Sequence, residues 1–189
     1  LAELGNAQLQ SGRALEACRI FEKLTRMEED NPDFLCRLGE ALFAAGRASE
    51  SEAACLRAGR MDPEQIDRYS FRIADLYSRG KRHAEAIRLL ERCIAANPSQ
   101  PLYYCSLGDE LAALGRVDEA EAVYETAAAK SPSGAYYNRL GNTLMKEKMF
   151  DRAARAFEKA AAREGLRPFF VNLARAYREM GLPEAAGEA

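Results

Sequence analysis

The sequence is poor in the residues that most often carry chemistry. It has no tryptophan and a single histidine, His83, which falls in a predicted turn beside two basic residues and has no second histidine for a metal site or a proton relay. The five cysteines are odd in number and none forms a CxxC pair, so neither a zinc site nor a disulfide framework is indicated. We expect small, buried, reduced thiols, which favour a cytoplasmic location.

Long apolar runs and phosphate loops are also missing. No run approaches the ~20 apolar residues that a membrane helix needs, and no glycine-rich phosphate loop is present. Acidic pairs such as Glu28-Glu29 stand on predicted helix surfaces. The net charge of −2 provides no field that would attract nucleic acid or anionic lipid. We therefore predict no enzymatic activity, no cofactor, no metal, and neither a nucleic-acid nor a membrane partner.

What the sequence does contain favours helices. Hydrophobic residues make up 48% of the chain and charged residues 30%, which is enough apolar material for a core. Alanine, leucine, glutamate, arginine and lysine dominate, whereas β-branched residues are scarce, and this composition favours helix over strand. Abundant alanine and arginine also suggest a bacterial source.

A repeat of 33 to 35 residues runs through the whole chain. The pair Leu-Gly recurs with gaps of 34, 69 and 33 residues, and Ile73-Ala74 fills the long gap. Small residues, turn glycines and large apolar residues recur at the same period. The members of these series are Leu4-Gly5, Leu38-Gly39, Leu107-Gly108 and Leu140-Gly141; Ala17, Ser51, Ala86, Ala120, Ala153 and Ala186; Gly12, Gly46, Gly80, Gly115 and Gly181; and Phe21, Cys55, Leu90, Tyr124 and Phe157.

The fourth repeat shows the physics of one unit. Apolar residues at helical spacing predict a helix from Pro101 to Leu114, which Gly115 ends because glycine adopts a left-handed conformation at low cost. Asp118 and Glu119 then favour the start of a second helix. Small residues stand where the two helices would cross, and a larger side chain there should force the pair apart. The complete pattern is Tyr104-x2-Leu107-Gly108-x2-Leu111-x3-Gly115-x4-Ala120-x3-Tyr124-x2-Ala127-x4-Pro132.

This pattern closely resembles the tetratricopeptide repeat (TPR) family. The resemblance implies an all-α fold, a right-handed α-α superhelical solenoid of helix-turn-helix repeats, and it covers nearly the whole chain. We predict one solenoid over residues 1–189 with about eleven full helices and a stub. Departures from the pattern occur at Ser51, Cys55, Gly80 and Lys148. The predicted units are 1–31, 32–65, 66–100, 101–133, 134–166 and a partial unit at 167–189.

The TPR resemblance also implies that the first helix of each unit lines a concave groove where a partner binds. For the arginines two interpretations stay open. Arg37–Glu40 and Arg72–Asp75 are i, i+3 pairs that would neutralise each other, or the arginines offer planar forks to a carboxylate. Arg139 has Asn142 in place of the acid, so we predict that it is free for a ligand. The predicted peptide-binding residues are Arg68, Arg72, Asn138, Arg139, Asn142 and Asn172.

Some TPR proteins bind a C-terminal carboxylate through a clamp of lysines and asparagines. Asn6, Arg68 and Arg72 stand in clamp-like positions, but Ala2 and Arg37 replace the lysine and asparagine, so the clamp is incomplete. The asparagines suit a different ligand, the backbone of an extended peptide, because each amide offers both a donor and an acceptor. Exposed polar surface without a binding role stays the alternative for them.

The function predicted from these features is a protein-protein interaction scaffold that binds a peptide or partner segment. A recognition or oligomerisation arm of a larger enzyme, such as a TPR-containing glycosyltransferase, is the alternative, and RNA binding is a weaker one. Neither end shows a polar capping helix, so we expect the natural protein to be longer. We also predict self-association through an apolar C-terminal face around Phe169, Phe170, Val171 and Tyr177.

Overall fold

The chain folds into α-helices joined by short turns. A computed structural model describes residues 1–131 and 133–188, and of residues 183, 184 and 188 it describes the backbone alone. Within these residues there is no strand, and a short 3-10 turn spans Pro63–Gln65. The helices are α1 (Ala2–Gln10), α2 (Ala14–Met27), α3 (Pro32–Ala44), α4 (Ala48–Met61), α5 (Ile66–Arg79), α6 (His83–Ala96), α7 (Pro101–Ala113), α8 (Val117–Lys130), α9 (Ala135–Lys146), α10 (Phe150–Glu164), α11 (Arg167–Glu179) and α12 (Pro183–Glu188).

The helices follow the repeat pattern of the sequence. Each predicted unit contains one first helix (α1, α3, α5, α7, α9 or α11) and one second helix, and α12 is the predicted stub. The prediction of an all-α fold of helix-turn-helix repeats is therefore confirmed. His83, predicted in a turn, is instead the first residue of α6. Pro132, the last residue of the repeat pattern in the fourth unit, and Ala189 lie outside the described residues.

The helices form two compact units, residues 1–97 with α1 to α6 and residues 98–189 with α7 to α12. In each unit a first helix packs most extensively on the second helix of its own repeat, and that second helix packs on the next first helix. The first unit has a core around Ala17, Phe21 and Leu42. The second unit has cores around Tyr124 and Phe157 and around Ala160 and Phe169. The single solenoid over 1–189 stays a prediction.

The turn inside each repeat has the same hydrogen bonds, which are those of a Schellman motif. In the fourth repeat the amide of Gly115 donates to the carbonyl of Ala112 at 2.8 Å, and the amide of Arg116 donates to that of Leu111 at 2.9 Å. The residue equivalent to Gly115 has a positive φ in all six repeats. It is glycine in four repeats, Lys81 (φ 56°) in the third and Lys148 (φ 58°) in the fifth. The third repeat therefore keeps the turn one residue after Gly80.

The helix crossings explain the small residues of the repeat. A Cβ atom on Gly108 would stand 2.6 Å from Cε2 of Tyr124, and one on Gly141 would stand 2.4 Å from Cε1 of Phe157. Neither distance occurs between real atoms in van der Waals contact. The glycine on the first helix thus leaves the space that the aromatic ring of the second helix fills. The glycines stand at the helix crossing, as the sequence predicts.

The second helices α4, α6 and α8 begin with an arginine–glutamate pair that the sequence analysis did not include. Arg47 donates to Glu50 at 2.7 and 2.6 Å, and Arg116 donates to Glu119 at 2.7 Å through both Nε and Nη2. Arg82 and Glu85 form the equivalent pair. These hydrogen bonds hold the pKa of each glutamate below its ordinary value. These side chains stand in solvent, so water screens their charges and each pair adds little to stability.

Candidate functional site

Each unit carries a pocket between consecutive first helices. The pocket of the second unit has a volume of about 350 Å³ and lies between α7 and α9. The pocket of the first unit has a volume of about 440 Å³ and lies among α1, α3 and α5. They are lined, respectively, by Asp109, Ala112, Ala113, Arg139, Asn142, Thr143, Lys146 and Glu147, and by Leu9, Gln10, Arg37, Glu40, Phe43, Ala44, Leu76 and Arg79.

Arg139 lines the second pocket but is not free. Its Nε donates to Oδ2 of Asp109 at 2.8 Å, and its Nη2 donates to the same oxygen. The prediction that Arg139 lacks an acidic partner is therefore wrong. Asn142 does replace the acid within α9, but the acid comes instead from α7, 30 residues earlier. Burial acts to lower the pKa of Arg139, and the bond and charge of Asp109 raise it above the ordinary value.

Asp109 is the centre of a hydrogen-bond network behind this pocket. Its Oδ1 accepts from the hydroxyl of Tyr124 and, at 3.3 Å, from the hydroxyl of Thr143. Tyr124 is completely buried, and burial together with the Asp109 charge raises its pKa well above the ordinary value. The phenol therefore stays neutral and donates. With both carboxylate oxygens occupied by α8 and α9, Asp109 links three helices rather than serving a ligand.

The first unit repeats this link. Nε of Arg72 donates to Oε1 of Glu40 at 2.8 Å, and Nη1 of Arg37 donates to Oε2 of the same residue at 3.0 Å. The predicted pair Arg37–Glu40 is confirmed, whereas the predicted pair Arg72–Asp75 is wrong, since Asp75 pairs with Arg79 at 2.7 Å. One carboxylate thus serves two guanidinium groups, which leaves an excess of one positive charge in the trio of Arg37, Glu40 and Arg72.

The remaining predicted residues lie on α5, α9 and α11. Nη1 of Arg68 donates to Oε1 of Gln65 at 2.7 Å, at the edge of the first unit's helices. Nδ2 of Asn172 donates to Oδ1 of Asn138 at 2.8 Å, which leaves the amide nitrogen of Asn138 and the amide oxygen of Asn172 to bond elsewhere. Asn142 is exposed in the wall of the second pocket. A ligand role for these residues is still a prediction.

Two cationic pocket residues escaped the sequence analysis. Lys146 and Arg79 occupy the same repeat position, four residues after the position of Asn142 and Asp75. Residues four apart lie on one face of a helix, so the i, i+4 neighbours of the predicted site residues were the signal that would have found them. Lys146 is exposed, and it adds a cation to the second pocket.

The C-terminal face is less apolar than predicted. Phe169 is 5% exposed because it packs on Ala160 and Ala161, so its assignment to an open face is wrong. The hydroxyl of Tyr177 donates to Glu158 at 2.5 Å, and that ring is partly buried. Val171 is 54% exposed and Phe170 is half-buried. The open apolar surface of this end therefore centres on Val171.

The described part of the chain shows neither a membrane-spanning helix nor a metal-binding cluster. No helix found there is long and apolar enough to cross a membrane. The side chains that the structure describes include no group of three His, Cys, Asp or Glu arranged to hold a metal ion. All five cysteines are buried free thiols, as predicted from their number and spacing.

Comparisons with known proteins agree with the helical repeat. Sequence profiles described as Tetratricopeptide repeat match residues 3–66 and 71–135, and a second such profile matches residues 134–164. A search of curated proteins found no match. The alternative of an enzyme's recognition arm gains no support from these matches.

Solved structures with a similar fold share little sequence with this chain. BtubC from P. vanneervenii is 20% identical with a TM-score of 0.65, covering 97% of this chain and 87% of that one. PilF of Pseudomonas aeruginosa is 16% identical with a TM-score of 0.61, covering 99% and 86%. YrrB, described as a TPR protein with an unusual peptide-binding site, is 18% identical with a TM-score of 0.58, covering 89% and 87%. At such identities the likeness shows the fold alone.

Proposed function

Because the chain belongs to the tetratricopeptide repeat family, we propose that it is a protein-interaction scaffold. The first helices bind an extended segment of a partner protein. The observation that carries this proposal is that both units place their pockets between first helices, at the same repeat positions. Peptide binding is described for YrrB, which has a similar fold. Repeat proteins bind through such surfaces because each repeat adds a few contacts to the next.

The second unit's pocket suits a peptide backbone. Asn142 and Lys146 are exposed in its wall. On the side of α7 the pocket is lined by the small side chains of Ala112 and Ala113, which leave room for a ligand. The amide pair of Asn138 and Asn172 presents one donor and one acceptor. Backbone groups of an extended peptide need both kinds of partner, so this surface binds without demanding a particular side chain.

The first unit's pocket suits an apolar side chain next to an acidic group. Leu9, Phe43 and Leu76 contribute the apolar wall, and the ring of Phe43 is held edge-on against Tyr77 with 5.3 Å between ring centroids. The guanidinium excess at Arg37 lies in the same pocket. An acidic group of the ligand would gain a charge-assisted hydrogen bond there. Arg139 belongs to the proposed surface as a wall of the second pocket, and Arg68 and Arg72 belong to it outside the pocket linings.

The test begins with a phage-displayed library of random peptides selected on the full chain. The affinity of a selected synthetic peptide is then measured by calorimetry for the wild type and for Asn142→Ala/Lys146→Ala. For peptides of the second pocket we expect at least about a tenfold loss, equivalent to ~1.4 kcal/mol. The matched control is Arg155→Ala on α10, an exposed arginine outside both pockets, which should leave the affinity unchanged.

Peptides of the first pocket are tested in the same way with Arg37→Ala. We expect this change to weaken acidic peptides and to leave their neutral counterparts unchanged, because only the acidic group meets the guanidinium excess. Selection of no peptide, or equal affinity for the pocket variants and the wild type, would overturn the proposed function.

We further propose a non-catalytic, cytoplasmic protein that binds neither nucleic acid nor membranes. The net charge of −2 supports this, since binding to phosphate backbones depends on clustered cations. A labelled single-stranded oligonucleotide at low salt is the probe, because low salt strengthens any electrostatic binding. No change in its fluorescence anisotropy is expected. Salt-sensitive binding would contradict the proposal.

We also propose self-association through the C-terminal face, with a second copy of the chain as the occupant. A cavity of about 420 Å³ lies there beside Phe170, Val171 and Ala174. Isolated exposed apolar side chains are common, so the surface supports a weak dimer rather than an obligate one. Light scattering should show a mass that rises with concentration, and Val171→Lys should abolish the rise. A constant monomer mass would contradict the dimer.

A further inference from the structure

In the second repeat a cysteine stands at the helix crossing, where other repeats have an aromatic residue. In the first, fourth and fifth repeats a phenylalanine or tyrosine of the second helix fills the space beside a glycine of the first. In the second repeat Cys55 takes this place, and a Cβ atom on Gly39 would stand 2.4 Å from its Sγ. The smaller side chain leaves Cys55 facing another sulfur, that of Cys36 on α3.

The two sulfurs are in direct contact. Sγ of Cys55 lies 3.7 Å from Sγ of Cys36 and 3.6 Å from its carbonyl oxygen. A disulfide has an S–S distance of ~2.05 Å, so the sulfurs would have to approach by less than about 2 Å. Within the described residues Cys18, Cys93 and Cys105 show no such sulfur contact. The pair on α3 and α4 therefore differs from the other buried thiols.

The surroundings of the two thiols also shift their pKa values in opposite directions. The S–H of Cys55 donates to Sγ of Cys36, which lowers the pKa of Cys36 and raises the pKa of Cys55. Burial opposes the first shift, and the guanidinium of Arg72 adds to it. Because the thiolate is the reactive form of cysteine, Cys36 is the sulfur that reacts first.

We propose that Cys36 and Cys55 are a redox modification site that closes to an intra-repeat disulfide with hydrogen peroxide as the oxidant. The Cys36 thiolate attacks one peroxide oxygen, the O–O bond breaks, and a sulfenic acid and hydroxide form. The sulfur of Cys55 then attacks the sulfenic sulfur, the S–S bond forms, and the sulfenic hydroxyl leaves as water with the proton of Cys55. The proton that Cys36 lost on forming its thiolate neutralises the hydroxide. One peroxide and two thiols thus give one disulfide and two waters.

Burial determines which oxidant can act. Cys36 is 0% exposed and Cys55 is 1% exposed, so an attacking molecule must enter the hairpin. Hydrogen peroxide is nearly as small as water, whereas a disulfide such as oxidised glutathione cannot reach the sulfurs in the folded chain. A dithiol acting on opened molecules reverses the bond by thiol–disulfide exchange.

The disulfide would lock α3 to α4 beneath the charge cluster of the first pocket. Glu40, which accepts from Arg37 and Arg72, lies four residues after Cys36 and so one turn along the same face of α3. A bond that fixes α3 therefore also fixes the carboxylate that organises both arginines. Closing the loop between residues 36 and 55 should raise the thermal midpoint of the oxidised chain by roughly 5 °C or more.

The experiment treats the reduced full chain with hydrogen peroxide, and free thiols are counted by alkylation after denaturation. We expect two of the five thiols to disappear, mass spectrometry to find a peptide linking Cys36 to Cys55, and dithiothreitol to restore both. Cys55→Ala should abolish the loss of the pair, and the control Cys105→Ala should still lose two thiols. Oxidised glutathione should leave all thiols of the folded chain free.

The wild-type peptide map decides the matter even if Cys55→Ala does not fold. Five thiols remaining after peroxide, disulfides between chains, a loss spread over the other cysteines, or a sulfinic acid on Cys36 without the Cys36–Cys55 link would each overturn the proposal. Reaction with oxidised glutathione as fast as with peroxide would overturn the selectivity that burial implies.

Discussion

Glu40 and Asp109 hold the same position in their repeats and have the same task. Each accepts hydrogen bonds from an arginine of the following repeat, Arg72 or Arg139, at 2.8 Å from Nε. The arginines therefore connect repeats within their units, and Arg139 also lines the pocket of the second unit. The pocket of the second unit is left with Asn142 and Lys146 as its exposed polar groups.

Ser51 is the residue that destabilises its own helix pair. It is 0% exposed and its hydroxyl has no protein partner, while alanine holds the equivalent position in the other repeats. We predict that Ser51→Ala stabilises the chain by about 1 kcal/mol, because a buried, unbonded hydroxyl has lost its hydration without compensation. Urea denaturation measures this. The reciprocal change Ala120→Ser should destabilise, and a destabilising Ser51→Ala would contradict the argument.

Lys148 occupies a backbone conformation that suits glycine. Its φ of 58° lies in the left-handed region, where a Cβ atom is unfavourable. We predict that Lys148→Gly raises the free energy of unfolding by roughly 0.5–1 kcal/mol, after allowance for glycine's greater freedom in the unfolded chain. Gly115→Ala is the matched control and should lower it, since a Cβ atom there meets open space and only the backbone is strained. Equal stability of all three proteins would refute this.

At the scale of the helices, the Arg139–Asp109 link joins α7 to α9 across one repeat. A double-mutant cycle with Arg139→Ala and Asp109→Ala should give a coupling energy of about 1 kcal/mol, which salt reduces. The estimate is modest because the side chains are 41% and 32% exposed and water screens the charges. Chemical denaturation at two salt concentrations gives the coupling. A value near zero would mean that the link does not hold the repeats together.

Buried tyrosines make the helix pairs sensitive to alkali. Tyr69 is 2% exposed, and burial together with the charges of Asp33 and Asp62 raises its pKa from 10.0 to about 12. Between these two pKa values the folded state keeps the proton that the unfolded state loses. The contribution of Tyr69 to the free energy of unfolding is therefore complete below pH 10 and disappears as the pH rises through 12. Thermal midpoints across this range should fall less in Tyr69→Phe than in the wild type. Parallel curves for the two proteins would count against it.

For the whole molecule, the repeat period predicted the helix-turn-helix repeats but not the charge partners that lie in different repeats. Leucine-glycine pairs and turn glycines mark helix crossings and turns within one repeat. The turn at Gly115 and the crossing at Gly108 could therefore be predicted from the sequence alone. The acid that binds Arg139 lies 30 residues away, and only the packing of α7 on α9 brings it close. The same holds for Phe169, which α10 buries. Sequence periodicity thus identifies which residues share a face of a helix. Contacts between residues of different repeats can be found only from the fold.

The candidate site follows the same division. Asn142 and the Asn138–Asn172 pair could be placed on first helices from their repeat positions, and the structure puts Asn142 in a pocket wall. Lys146 was missed because it follows the predicted residues by one helical turn. The excess positive charge of the first pocket could not be foreseen, since it arises from one glutamate shared by two arginines of different repeats.

The central claim, that first helices bind an extended polypeptide segment, is tested most directly by NMR of the labelled chain titrated with a display-selected peptide. We predict shifts in amide signals of α1, α3 and α5 or of α7, α9 and α11, according to the pocket used. For the second pocket they should include the side-chain amides of Asn138, Asn142 and Asn172. Shifts confined to second helices such as α8 and α10, with these amides unchanged, would contradict the claim.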